Sequence, residues 1–231
     1  MRAWENIFTD TDHEVVRKAR LAKKQELGSH PTLLLIDIKT SFIGTTRKPI
    51  LEAVEEFQYA CGEAGWDSAL QSERLLKACR ANGVPVVHVT GDAHYRQFTH
   101  SSVKGSDPGT TSSPQLEEIF PAVAPLPTEL VVKKTKATAF FGTPLANCLR
   151  DIGTDTLLMG GCTTSGCLRA SVIDAYNYGF KCFVVEECAF DRFPLSHLVN
   201  LWDINAKYAD VITLDEALTY VAQIGRQKRS S

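Results

Sequence analysis

The chain has 231 residues, 44% hydrophobic and 23% charged, a size and composition that one α/β domain can fill around a single core. Its formal net charge of -2 gives no reason to expect nucleic acid or an anionic membrane as a partner, and points to a small molecule or a protein. The first 27 residues are charged throughout without the apolar centre of a signal peptide, and no run approaches the roughly 20 apolar residues of a membrane span, so a cytoplasmic protein is expected. In chain order, residues 1–30 read as an arm, helical in its second half, packed on the domain or on another subunit. Apolar, β-branched runs then recur at Thr32 to Ile36, Val84 to Val89, Leu130 to Val132, Thr156 to Met159, Cys182 to Val185 and Val211 to Thr213. Helical patterns at Ser68 to Ala81, Thr143 to Asp151, Gly166 to Tyr178, Leu195 to Ala206 and Leu214 to Ile224 fall between and after them. This alternation predicts a mostly parallel six-stranded sheet flanked by helices in three layers, spanning residues 31–231. The polar stretch from Gly91 to Pro127, broken by Gly105, Pro108, Gly109, Pro114, Pro121 and Pro125, predicts a long loop with a short helix.

Seven cysteines, at 61, 79, 148, 162, 167, 182 and 188, form an odd set with no CxxC pair and no Cys/His cluster at zinc spacing, which argues against a disulfide framework or a structural metal. A chemical role for any one of them must come from its surroundings. In an open parallel sheet, ligands bind beyond the carboxyl ends of the strands. Three predicted ends carry reactive groups: Asp37 after LLLI, Lys133 and Lys134 after LVV, and Cys167 in the loop that follows TLLMGG. Cys167 stands where a helix is predicted to begin, and unpaired N–H groups there favour a thiolate and can hold an oxyanion. A thiol nucleophile also needs a proton acceptor and a charge partner, which a carboxylate and a lysine supply.

The blocks LLLIDIKTSF, KTKATAFFGTPL and GGCTTSGCLRASVIDAYNYGFKCFVVEECAFDR resemble the isochorismatase-like cysteine hydrolases, in particular the N-carbamoylsarcosine amidase and maleamate amidase type. The resemblance runs from about Pro31 to Ala222. It implies a Rossmann-like fold and a catalytic trio of Asp37, Lys134 and Cys167. It also implies a cis peptide between Cys162 and Thr163, an oxyanion hole from the Thr163 and Cys167 amides, and substrate binding by Arg192 and Phe42. The implied reaction is hydrolysis of a small carboxylate-bearing amide or N-carbamoyl compound through a thioester, with ammonia released, no metal or organic cofactor, and a homotetramer or dimer. One departure is Lys39-Thr40-Ser41, where many relatives carry Gln-Asn-Asp. Two other chemistries compete on the residues: a zinc-assisted amidase using Asp92 and His94 with His100 nearby, and a Cys/His enzyme drawing on His88, His94, His100 or His197. An inactive ligand-binding member of the fold is the alternative outside catalysis.

Overall fold

The computed structural model describes residues 3–96, 98 and 114–230. The six apolar runs form strands β1 (Pro31–Ile36), β2 (Val86–Gly91), β3 (Leu130–Lys134), β4 (Thr156–Cys162), β5 (Lys181–Phe190) and β6 (Asp210–Ile212). They make one sheet in the order β3-β2-β1-β4-β5-β6, with every pairing between these strands parallel. Strands buried on both faces read as continuous apolar runs. Every residue of β1, β2 and β4 is buried.

The helices are α1 (Asp10–Ala19), α2 (Thr40–Ile43), α3 (Ile50–Glu56), α4 (Gly62–Ala81), α5 (Ala93–Arg96), α6 (Leu145–Asp151), α7 (Arg169–Asn177), α8 (Pro194–Lys207) and α9 (Leu214–Ser230). Because strand side chains alternate in direction, Leu34 and Ile36 enter one core with Val172 of α7 and Leu201 of α8. Leu33 and Leu35 enter the other with Leu75 of α4 and Ile224 of α9. The result is helix, sheet, helix.

One expectation is corrected. The arm's helix lies at its middle, because Thr9 and Asp12 form a capping box at its start and Arg20, at φ 55°, ends it in the left-handed conformation. Beyond that, the Gln25 amide donates to Asp210 and the Gly28 carbonyl accepts from the Tyr220 hydroxyl, so the second half of the arm runs along the domain. The predicted loop after β2 contains α5 and two short 3₁₀ turns, Pro114–Glu117 and Pro121–Val123; its Gly105, Pro108 and Gly109 fall outside the described residues.

The order of the strands locates the site. From β3 at one edge the chain returns to β4 on the far side of β1, so the direction of winding reverses at β1. The crevice beyond the carboxyl ends at such a reversal is where open α/β sheets take ligands. The crevice depends on Gly161, at φ +127°, where an added Cβ would stand 1.9 Å from the Ile36 carbonyl oxygen. No side chain fits between β1 and β4 there.

Candidate active site

Three strand ends bring the predicted trio together. Asp37 follows β1 with φ 52°, a left-handed conformation that aspartate adopts more readily than most residues. Its own amide donates to Val89, fixing it to the end of β2. Lys134 closes β3, where the side chains of Val132 and Lys134 are buried and that of Lys133 is exposed. Its partner across the sheet is Gly91, so no side chain on β2 obstructs its reach. The Lys134 ammonium lies 2.8 Å from Asp37 Oδ2 and donates to Cys167 Sγ at 3.4 Å and to the Lys136 carbonyl at 3.1 Å. The other Asp37 oxygen, Oδ1, is buried with no hydrogen-bond partner.

Cys167 departs from its expected setting. Residues Thr164–Leu168 form a kinked turn ahead of α7, with Gly166 in a non-helical conformation (φ -117°, ψ -106°). The turn starts at the Cys162–Thr163 peptide, which is cis. Its Gly166 and Leu168 amides both donate to the Thr163 carbonyl. Ser171 Oγ accepts from the Ala139 amide and donates to the Cys167 carbonyl, joining the loop after β3 to α7.

The electrostatics also depart from expectation. Burial, then the Asp37 charge, push the Cys167 thiol up to about 11, with Lys134 opposing. The thiol is therefore protonated at neutral pH, and the loop-helix junction does not by itself make it a thiolate. Burial also pushes the Asp37 carboxyl up, but Lys134, then Lys39, together with hydrogen bonds from Lys134 and Cys167, outweigh it and hold the acid below its ordinary range. Burial acts downward on Lys134, and Asp37 and Cys167 raise it above the normal lysine value. The resting site is a carboxylate, an ammonium and a neutral thiol.

Arg192 follows β5 on the same rim. Its backbone amide donates to Asp191 Oδ1, while Asp191 Oδ2 accepts from the Ser165 amide and hydroxyl and ties this loop to the turn that carries Cys167. The guanidinium instead donates to the Tyr59 carbonyl and lies 5.3 Å from the Phe42 ring centroid and 5.7 Å from that of Tyr59. Its Nε is buried without a partner. Phe42 also carries Lys39 over its ring at 4.4 Å.

The groups proposed for the competing chemistries are employed elsewhere. Asp92 Oδ1 accepts the His94 and Tyr95 amides at the start of α5, and the exposed His94 ring packs against Tyr95 and Phe98. Among the described residues no group of three or more His, Cys, Asp or Glu is placed to hold a metal; His100 falls outside them. His88 pairs with Glu129 at 3.1 Å, and His197 with the Thr164 hydroxyl at 2.7 Å. Sequence reasoning missed the buried pair of Lys39 and Glu117, the Tyr59 carbonyl and the Lys136 carbonyl. Only Lys39 left a signal, as a lysine three residues beyond a buried strand.

A family model for the isochorismatase domain matches residues 31–216. The chain belongs to the isochorismatase family. It is 35% identical to maleamate amidohydrolase of Pseudomonas putida over 200 residues, 83% of this chain and 86% of that one. It is 34% identical to N-carbamoylsarcosine amidase of an Arthrobacter species over 159 residues, 64% of this chain and 59% of that one. An isochorismatase family protein from Desulfovibrio vulgaris shares the fold at a TM-score of 0.70 and 24% identity, over 84% of this chain and all of the other. This family of hydrolases therefore includes amidases among the relatives of this chain.

Proposed function

We propose that this isochorismatase-family hydrolase is a cysteine-dependent amidase that cleaves a small carboxylate-bearing amide or N-carbamoyl compound. The observation that carries the reading is the Lys134 ammonium in contact with both Asp37 and Cys167. A neutral thiol beside an ionised carboxylate is poised for proton transfer at the moment of attack. Asp37 takes the Cys167 proton as the S–C bond forms, and the amide π electrons move to oxygen. The amides of Thr163 and Cys167 are assigned to that oxyanion. Asp37 returns the proton to nitrogen, the C–N bond breaks and ammonia leaves a thioester. Water, losing a proton to Asp37, then displaces the thiolate, which recovers its proton and yields the acid. Lys134 keeps its proton throughout and compensates negative charge as it moves between Asp37 and sulfur. No step calls on a metal or an organic cofactor.

The carboxylate preference rests on Arg192, whose guanidinium has one buried nitrogen without a partner and two aromatic rings beneath it. A planar guanidinium held in this way suits bidentate contact with a carboxylate. The relatives named for maleamate and N-carbamoylsarcosine carry such substrates in their names, which supports the assignment. The test is ammonia release across N-carbamoyl amino acids, maleamate-like half-amides and neutral amides such as nicotinamide, with Cys167→Ala as the blank. Acidic amides are expected to turn over, Cys167→Ala to be inactive, and substrate-trapped enzyme to carry an adduct on Cys167 alone. Equal turnover in the alanine variant, or an adduct on Cys162, overturns the reading.

A further inference from the structure

Beside the trio lies a second buried ion pair. Lys39 Nζ is 2.5 Å from Glu117 Oε2, and the two side chains are 2% and 5% exposed. The surroundings hold it on every side. Glu117 Oε2 accepts the Gly91 amide and its carbonyl accepts the Thr90 hydroxyl, so the 3₁₀ turn Pro114–Glu117 is fastened to the end of β2. The Thr40 amide donates to Glu118, the Ser41 hydroxyl to Leu116 and the Phe120 amide to Ile38, which fastens the same turn to the segment after β1. The other backbone and hydroxyl contacts would persist with uncharged side chains in place of the ions, and a neutral glutamine at 117 could still accept the Gly91 amide. Replacing a buried ion pair by well-packed apolar residues is often neutral or stabilising, so packing alone does not account for the charges.

Their placement does. Lys39 is two residues from Asp37, and its charge acts on that carboxylate after the effects of burial and of Lys134. The groups facing Asp37 are Lys134 from β3, Cys167 from the turn after β4, and Lys39 from its own segment, with Glu117 paired to Lys39. We propose that Lys39 and Glu117 are positioning residues for the catalytic carboxylate: Lys39 supplies a second positive charge that keeps Asp37 ionised as the base, and Glu117 holds that charge in place. The proposal rests on Asp37 being the base of the amidase reading, and it extends that role to two residues outside the trio.

The experiment follows Asp37 directly, by ¹³C NMR titration of its side-chain carboxyl in substrate-free protein assigned with Asp37→Asn, alongside the pH dependence of kcat/KM for the amide turned over. Lys39→Met and Lys39→Gln remove the charge, and both are expected to move the Asp37 titration and the acid limb of kcat/KM upward by about one pH unit. Lys39→Arg should return both toward the wild-type position. Glu117→Gln keeps the Lys39 charge and should move neither upward. Circular dichroism at each pH confines the comparison to folded protein, and Lys39→Gln carries the test if Lys39→Met does not fold. A uniform loss of activity with the titration and acid limb unmoved in both Lys39 variants, or an equal upward move in Glu117→Gln, overturns the proposal. Movement of the carboxyl resonance without amide turnover would sink the amidase reading and leave the pair's electrostatic role standing; turnover without movement does the reverse.

Discussion

Cys167 shows how strongly burial competes with local chain geometry. A cysteine in a strand-loop-helix junction is expected to have a lowered pKa, yet burial and the neighbouring Asp37 charge raise this thiol to about 11. Nothing in the sequence carries that result, because the depth of the sulfur and its distance to a carboxylate are tertiary quantities. The residue types themselves were readable, since each closes or follows an apolar run on the expected rim. Two substitutions should pull reactivity in opposite directions. Asp37→Asn removes the charge that raises the thiol, so Cys167 should be alkylated by iodoacetamide faster at neutral pH while kcat falls by at least about a hundredfold, the scale of a lost general base. Lys134→Ala removes the charge that lowers it, so alkylation should slow while kcat also falls. Alkylation moving the same way in both variants would contradict the assigned electrostatics. At Arg192, whose guanidinium lies over Phe42 and Tyr59, Arg192→Lys and Arg192→Ala should raise KM for acidic amides far more than for nicotinamide. Equal losses on both substrates would remove the carboxylate assignment.

At the scale of elements, the strands were legible because a sheet covered on both faces writes itself as continuous apolar sequence. Their ends were less so. β4 runs on through Gly160, Gly161 and Cys162, and β5 through Glu186 to Phe190, where glycine and glutamate disguise strand as loop. α4 starts at Gly62, six residues before the periodic pattern begins, because Gly65 lets the helix approach the Phe42 carbonyl closely, 3.2 Å from where its Cβ would be. Close approach is a property of pairs of elements, and a glycine does not announce its neighbour. Gly161 makes the sharpest test. Its φ of +127° and the 1.9 Å approach to the Ile36 oxygen leave no place for a methyl group, so Gly161→Ala must push β4 away from β1 at the point that separates Asp37 from the Cys167 turn. We expect thermal stability to fall and kcat to fall with it in the protein that remains folded. Retained wild-type melting temperature and rate would show that β1 and β4 tolerate separation there.

The whole molecule is divided between a rim that carries Asp37, Lys134 and Cys167 and a far edge closed by the arm. At that edge Trp4 is 4% exposed and belongs to the same core as β1 and α7. Phe8 meets Trp202 of α8 at 4.8 Å, and the Ala3 amide donates to Glu186 of β5. Arm and domain together line a cavity of 740 Å³ that includes Phe8, Val211 and Tyr220, and none of Asp37, Lys134 and Cys167. High charge left open whether this arm packs on its own domain or on another subunit, because charged residues outnumber the two aromatics that anchor it. Its aromatic anchors nevertheless complete a core that the six strands leave open at β6. Trp4→Ala should therefore cost about 3–5 kcal/mol, the usual range for a buried tryptophan. In a chain of this size that lowers the melting temperature by roughly 10 °C. Below the new transition, kcat and KM should stay at wild-type values, since the trio hangs from β1, β3 and β4 and lies outside the cavity that the arm lines. Differential scanning calorimetry paired with initial rates at 25 °C checks both halves. An unchanged melting temperature would show that the arm only rests on the domain, whereas a loss of kcat at full folding would tie it to the rim.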